Sequence, residues 1–562
     1  MAITAAAEAQ LTEQFITPAR IVSTSGDVSE AEVLLEPFSG QLSVADRHAA
    51  RMRSSATAPA RVVLDMGREM HGGIEIAAPI RASHTPARLR VQFGESVSEA
   101  IYNPASDGNA KNFNNDHAVH ATTVDVPWLG TVRVGNTGFR FVCIELEDID
   151  TEMPIRAVRG VARERQLEWL GAFKSDNERL NRIWQAGART VALCMQDYVW
   201  DGIKRDRLVW IGDINPEVMT INNVFGNSDV VRRSLDFARD DTPLPGWMNG
   251  MCSYSLWWII THRDLFLHQA DTTYLTEQHD YLRRLINQID TCIDRRGREH
   301  LSGTRFIDWP TSRRDDVIQS GLQSMCVMAV EAAQELALAL DDLGLSNQCN
   351  TILSRLRRAK TDHCDNNQAA ALKILAGNGT EADTRVLTGH GPEAFSTFYG
   401  YYMLEALAKT GHHDKAVEMI SRYWGGMLDL GADTFWEEFD YSAASRAGRI
   451  DQPVPAGTFD IHADGGDYCF KGLRLSMCHG WASGPTSWLT RHVLGVRPTR
   501  AGFRSVLIEP HLVGCTRVEG AVPTPFGVIT VSHRLAADGK IHTTYSAPEA
   551  VQVHVRGAIV QK

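Results

Sequence analysis

The hydrophobic period of this chain changes twice, and that change limits the architectures open to it. Up to about residue 165 the apolar residues come in short alternating runs. Leu89-Arg90-Val91-Gln92-Phe93, Thr131-Val132-Arg133-Val134 and residues 139–146 are the clearest, with 61–67 and 73–76 as strand-like runs broken by glycines. Many short strands without intervening helices predict a β-sandwich. From Ser175 to about Leu494 the spacing is helical. Ser175-Asp176-Asn177-Glu178 has the form of a capping box with Ser175 at the N-cap, and Leu180, Ile183, Trp184, Val191 and Met195 then share one helical face. Gly187 lies on that face, where glycine weakens a helix unless something packs close. Residues 322–345 and 347–364, then 398–410 and 414–423, predict helices paired by short turns, an α-hairpin array without a fixed repeat. After Leu494 the alternation returns at 504–510, 527–533 and 551–555, with a turn at Thr524-Pro525-Phe526-Gly527. Residues 106–120, rich in Asn, Asp and Gly, predict a loop. The order is β, a large α domain, then β, with expected divisions at 1–168, 169–495 and 496–562.

Composition narrows the function. The net charge of −11, with no long Lys/Arg run, argues against a nucleic-acid partner. No 18-residue apolar span and no basic-then-apolar leader stands in the sequence, so neither a membrane partner nor a signal peptide is expected. Ten cysteines without a CxxC predict small buried thiols and a reducing, cytoplasmic setting. HExxH, GxxxxGK[ST] and GxSxG are missing, and no His pair stands at ligand spacing beside a cluster of Cys or carboxylates. Neither a metal nor a cofactor is expected.

The chemistry gathers around tryptophan, of which the chain has 13. The segment from Trp200 to Asp213 packs Asp201, Asp206 and Asp213, Lys204, Arg205 and Arg207, and the indoles Trp200 and Trp210 into 14 residues. Its apolar Leu208-Val209 predicts partial burial, and buried carboxylates need cationic partners. Asp433-Thr434-Phe435-Trp436-Glu437-Glu438-Phe439-Asp440 is a second acid–aromatic segment. Phe306-Ile307-Asp308-Trp309-Pro310 is a third, and Ser476-Met477-Cys478-His479-Gly480-Trp481 adds a lone histidine. Each has a structural reading as a loop-end ion pair or a core histidine. Acids recurring beside flat rings also meet the needs of glycoside hydrolysis, in which two carboxyls flank the scissile bond and aromatic faces hold the sugar.

At these residues the sequence resembles glycoside hydrolase family 78, the inverting α-L-rhamnosidases, over residue 60 to the end. The Asp201–Asp213 loop, ending in Trp210-Ile211-Gly212-Asp213, resembles the family's Asp-rich motif, and 431–437 its G-A-T-T-[IFM]-W-E motif. Residues 476–488, running into 494–498, resemble the segment with its sugar-binding His. Leu64-Asp65-Met66-Gly67-Arg68-Glu69, Phe93-Gly94-Glu95-Ser96 and 522–527 resemble its flanking β-sandwich motifs. The resemblance implies a central (α/α)6 barrel between N-terminal and C-terminal β-sandwich domains, and an exo-acting enzyme, monomer or homodimer, removing terminal α-L-rhamnosyl residues from glycosides or oligosaccharides. It implies Asp206 as general acid and Glu437 as general base. Asp201 and Asp213 would grip the sugar, with Arg205, Trp210, Trp257, Asp308, Trp309, Trp436 and His479 as pocket residues. The chain departs from the family where many members read R-D-E-R-L. Here Arg205-Asp206-Arg207-Leu208 is one residue shorter and has no Glu. Glu438 stands beside Glu437 as a second base candidate. Two further readings stay open: another (α/α)6 glycosidase or phosphorylase, and an inert carbohydrate-binding protein. Neighbouring Asp201 and Asp213 would favour a protonated Asp206 and the arginines would oppose it, so both Arg205 and Arg207 are expected to turn away toward other carboxylates.

Overall fold

The structure, a computed structural model, describes residues 10–103, 119–359, 364–466 and 468–561. Most of the predicted loop at 106–120 lies outside the described residues.

The N-terminal region is a two-sheet sandwich. Its larger sheet runs Leu11–Ile16, Ala157–Arg165, Arg61–Ala78, Gly130–Leu146, Ala87–Gly94, His120–Val126, with Arg20–Ser25 also on Arg61–Ala78. The smaller sheet holds Asp27–Ser29, Ala50–Ser54 and Thr151–Ile155. The two short runs at 61–67 and 73–76 are one 18-residue strand, and 131–134 joins 139–146 in another. The glycine-marked breaks are register shifts between Asp65 and Met70 and between Gly72 and Ile74, not chain ends. That irregularity turns the Glu69 amide toward the barrel, where it donates to Asp433 Oδ2 at 2.7 Å.

The helical region closes on itself. Six inner helices, Ile214–Val224, Cys252–Gln269, Asp315–Ala339, Asn367–Leu375, Gly400–Lys409 and Gly484–Trp488, pack each on the next and the last on the first. Between them in sequence run six outer helices: Glu178–Cys194, Asp229–Asp240, Thr272–Thr291, Leu343–Leu356, Glu381–Gly389 and His413–Met419. The last continues through a π turn, Ile420–Trp424, to Gly425–Asp429. This is the expected (α/α)6 barrel. The first inner helix is buried all round: every position of Ile214–Val224 is covered, polar Asn215, Glu217 and Asn222 included. Outer ones are striped, as in Asp229–Asp240, where Val230, Val231, Ser234, Leu235 and Ala238 face inward. Because inner and outer helices alternate, all six inner helices point their N-termini, and the positive ends of their dipoles, to one mouth.

Two local expectations change. The first barrel helix is capped by Asn177, whose side chain accepts from the Arg179 amide at 3.1 Å, and not by Ser175. Ser175 instead ends the strand Ala172–Ser175 and binds Asn181 through its amide and hydroxyl. Leu208 is 52% exposed, so burial of that loop rests on Val209 and its polar contacts. Gly187 has its reason: a Cβ there would meet Thr486 Oγ1 at 2.3 Å and the Ser483 carbonyl at 3.1 Å. Gly187→Ala is expected to cost about 1–3 kcal/mol by overpacking. A denaturant midpoint equal to wild type would refute that packing.

The C-terminal region pairs Ala172–Ser175, Arg517–Thr524, Gly527–Leu535, Ile541–Ser546 and Ile559–Val560 in one sheet, and Val496–Arg500, Ser505–Ile508 and Gln552–Val555 in another. Its core is continuous with that of the barrel. All ten cysteines are free thiols, eight of them buried. Among the described residues no helix is long and apolar enough to cross a membrane.

Candidate active site

The loops that enter the inner helices meet at the barrel mouth. Asp213 stands at the N-terminus of Ile214–Val224, and the loop before it folds back on itself. The Asp201 amide donates to the Leu208 carbonyl at 3.1 Å, and the Leu208 amide returns to Asp201 Oδ1 at 2.9 Å. The turn between them places Asp206 and Arg207 in the left-handed region, at φ 52° and 53°. Non-glycine residues adopt that conformation at a cost of order 1–2 kcal/mol each, and Asp tolerates it better than most. This strained turn aims the Asp206 carboxyl into the mouth, where Oδ2 accepts from Trp210 Nε1 at 3.3 Å.

Glu437 faces it from the other side, fully buried. Its amide donates to the Ser476 carbonyl at 2.9 Å, and Oε2 accepts from the Ser476 amide at 3.0 Å. Arg205 links the two acids. Its Nη2 donates to Glu437 Oε2, its Nη1 lies 3.6 Å from Asp206 Oδ1, and its Nε donates to the Arg474 carbonyl at 2.7 Å. One planar guanidinium thus reaches both carboxyls, which places their nearest oxygens within about 9 Å of each other. The expectation that both arginines turn away therefore fails for Arg205. Arg207 does turn away, but to a backbone carbonyl and not to a carboxylate: it donates to the Asn136 carbonyl of the N-terminal domain at 2.9 Å. The reason is burial: Arg205 is nearly inaccessible and needs an anion, and Glu437 is the nearer and more deeply buried of the two carboxyls it reaches.

Electrostatics divides the acids. Burial works to raise the Glu437 carboxyl, yet the Arg205 cation, His479 and the Ser476 amide hold it down at about 2. Burial pushes Asp201 well above the usual carboxylate range, with Asp213 and Asp206 adding repulsion against the Leu208 amide. Asp213 is pushed up the same way, although Tyr254 Oη donates to its Oδ1 at 2.8 Å. Burial lowers His479 to about 4, so its ring is neutral near pH 7. The His479 Nε2 lies 3.7 Å from Asp201 Oδ2.

The predicted aromatic residues form part of a rim. Trp210 meets Tyr254 edge-on at 6.3 Å, Tyr254 meets Phe306 at 6.4 Å, Phe306 meets Trp309 at 5.2 Å and Trp309 meets Phe470 at 6.3 Å. The Phe470 ring carries the Arg205 guanidinium 4.4 Å from its centroid, which returns the circuit to Asp206. Asp201, Arg205, Asp206, Trp210, Asp213, Glu437 and His479 are thus brought together, with Trp309 on the rim. Asp308 lies behind it, its carboxyl accepting from the Trp309 amide, Gln368 Nε2 and Ser396 Oγ, and burial pushes it up to about 6 against those bonds. Trp257 stacks on Tyr402 at 4.3 Å inside the barrel, and Trp436 packs edge-on against Phe439 at 5.4 Å. Glu438 points to a separate cavity of about 460 Å³ and accepts from the Cys469 amide at 3.0 Å.

Three residues of the mouth escaped sequence reasoning. Tyr254 lies in an apolar helix without a motif. Cys469, whose thiol donates to Glu437 Oε1 at 3.1 Å, and Phe470 lie in a segment where no acid–Trp pair marks them. Among the described residues no group of three or more His, Cys, Asp or Glu side chains is arranged to hold a metal ion.

Residues 168–343 match the model of the bacterial alpha-L-rhamnosidase six-hairpin glycosidase domain, and 495–556 that of the bacterial alpha-L-rhamnosidase C-terminal domain. An alpha-L-rhamnosidase of Alteromonas sp. is 22% identical over 541 residues, covering 85% of this chain and 54% of its own length. The chain therefore spans about half of that relative. Among solved structures, the family 78 rhamnosidase of Bacillus sp. GL1 superposes with a TM-score of 0.74 at 20% identity, over 95% of this chain and 56% of that one. A rhamnosidase from Klebsiella oxytoca with rhamnose bound superposes with a TM-score of 0.69 at 21% identity, over 86% of this chain and 96% of that one. Two bacterial alpha-L-rhamnosidase domain models are thus matched in order along the chain, and nearly its whole length shares the fold of the family 78 rhamnosidase structures.

Proposed function

We propose that this chain is an exo-acting, inverting α-L-rhamnosidase, with Asp206 as general acid and Glu437 as general base. The observation that carries the reading is the single guanidinium of Arg205 reaching both carboxyls across the mouth. A bound of about 9 Å on their separation is compatible with the roughly 6.5–9.5 Å that leaves room for water between sugar and base.

In this reading the rhamnosyl ring lies between the two acids, inside the rim of Trp210, Tyr254, Trp309 and Phe470. Asp206 gives its proton to the glycosidic oxygen as the bond to the anomeric carbon breaks. Glu437 takes a proton from the water that attacks the opposite face. Rhamnose and the aglycone alcohol leave, and the proton passes from Glu437 back to Asp206 through solvent. Water would approach Glu437 at Oε1, beside the Cys469 thiol, since Oε2 already holds Arg205 and the Ser476 amide. Asp201 and Asp213, pushed toward the protonated form by burial, can donate to sugar hydroxyls as well as accept from them. Names of relatives support the rhamnose assignment: two curated relatives are alpha-L-rhamnosidases, and a structural neighbour holds rhamnose.

A panel of aryl glycosides tests the proposal. Release of the aryl alcohol from the α-L-rhamnoside, and from none of the gluco-, manno- or xylosides, is the expected result. A phosphate requirement would make it a phosphorylase, and sugar binding without cleavage of any member would make it an inert binder.

A further inference from the structure

The proposed base is not held by the barrel alone. The strand Ala87–Gly94 of the N-terminal domain ends in Gly94-Glu95-Ser96, and a Cβ on Gly94 would meet the Ala100 amide at 2.5 Å, so the turn requires glycine there. Ser96 caps the short helix Val97–Ile101, its hydroxyl accepting from the Glu99 amide at 3.1 Å, and the Glu95 amide donates to Glu99 Oε2 at 2.9 Å. Glu95 is thereby fixed, fully buried, and turned across the domain boundary. Its Oε2 accepts from the Met477 amide at 2.6 Å, and its Oε1 from Ser476 Oγ at 3.2 Å. Ser476 is the residue whose amide and carbonyl both bind Glu437. The same domain secures the Arg205 side. Lys204, with no accessible side chain, pairs with Glu99 at 2.9 Å and donates to the carbonyls of Leu473 and Leu475. His462 bridges Ser96 Oγ at 2.8 Å and the Leu475 carbonyl at 3.1 Å.

We infer that Glu95 is a positioning residue for Glu437: through the Ser476 and Met477 backbone it sets the distance from the base to Arg205 and to the sugar face. The inference rests on Glu437 being the base, as proposed above. The N-terminal sandwich is then part of the catalytic frame. The groups facing Glu95 are Glu69, Glu99, Lys204 and His462; those facing Glu437 are Arg205, Asp206, Asp213, Cys469 and His479.

Loss of this anchor lets the Ser476 amide withdraw from Glu437 and loosens its grip on Arg205. Glu95→Ala, in the full chain, is expected to lower kcat on an aryl α-L-rhamnoside about 100-fold, the scale of a misplacement near 1 Å, while KM moves little. The acid limb of kcat/KM should rise in pH as Glu437 becomes easier to protonate. Glu95→Gln, whose amide oxygen still accepts from Met477, should recover most of the rate and the wild-type limb. Glu95→Asp keeps the buried carboxyl and withdraws the acceptor by one methylene, so it reads position even if the alanine variant does not fold. It should show the same upward limb shift. A lost rate with an unmoved limb, a glutamine variant no better than alanine, or an aspartate variant equal to wild type would overturn the inference. If wild type cleaves no rhamnoside, the functional reading fails on its own. The inference is then decided by carbon-13 NMR titration of Glu437, assigned with Glu437→Gln. Its titration should move up in Glu95→Asp, and an unmoved titration overturns it.

Discussion

Glu437→Gln should lower kcat on every α-L-rhamnoside by about 10³-fold, within the 10²–10⁴ range of general base catalysis, with an intact fold. The glutamine keeps the size of the side chain and an oxygen for the Ser476 amide and Arg205, but it cannot take the proton from water. The loss should not depend on the leaving group, because water activation on the far face is needed whatever departs. It should be largest near neutral pH. Glu437 is held at about 2, so it is ionised across the working range, and its protonation removes activity only as the pH falls toward that value. The same depression adds stability above the ordinary carboxylate range that is lost on acidification through about pH 4.5 to 2. Glu437→Gln should therefore flatten the acid side of the stability curve while leaving a buried Arg205 without its nearer carboxyl partner. A Glu437→Gln enzyme that keeps more than a tenth of wild-type turnover would remove Glu437 from the mechanism, and Glu438→Gln would then be the variant to read.

Asp206→Asn is distinguished from it by the leaving group. An alkoxide leaving group needs a proton as the bond breaks, so rhamnosyl disaccharides should lose about 10³-fold in kcat. An activated aryl leaving group departs nearly unaided, and its loss should be tens-fold or less. Equal losses on both substrate types would show that Asp206 is not the proton donor. No loss on either would make the shorter Arg205-Asp206-Arg207-Leu208 turn a structural feature.

Much of this was legible in residues. The period change gave the three-part order, because the 2-residue and 3.6-residue repeats are written by burial itself. The acid–Trp segments marked loops that converge at the mouth, although each also had a structural reading, which Asp308 keeps by holding the Trp309 amide, Gln368 and Ser396. What the sequence could not carry was partner choice. Arg205 and Arg207 are the same residue two positions apart, and only the fold decides that one meets Glu437 and the other the Asn136 carbonyl. Ser175 and Asn177 both suit an N-cap, and the strand pairing of Ala172–Ser175 with Arg517–Thr524, over 300 residues away, takes Ser175 out of contention. Tyr254, Cys469 and Phe470 carry no local pattern, because the mouth is closed by residues from distant segments, a helix start for Tyr254 and a loop for the other two.

The central claim, a pair of carboxyls working with water across one sugar, is tested most directly by proton NMR of the first turnover products of an aryl α-L-rhamnoside. The account predicts that β-L-rhamnose appears first and then mutarotates. If α-L-rhamnose forms first, the configuration is retained, Glu437 does not activate water for direct displacement, and the account is wrong.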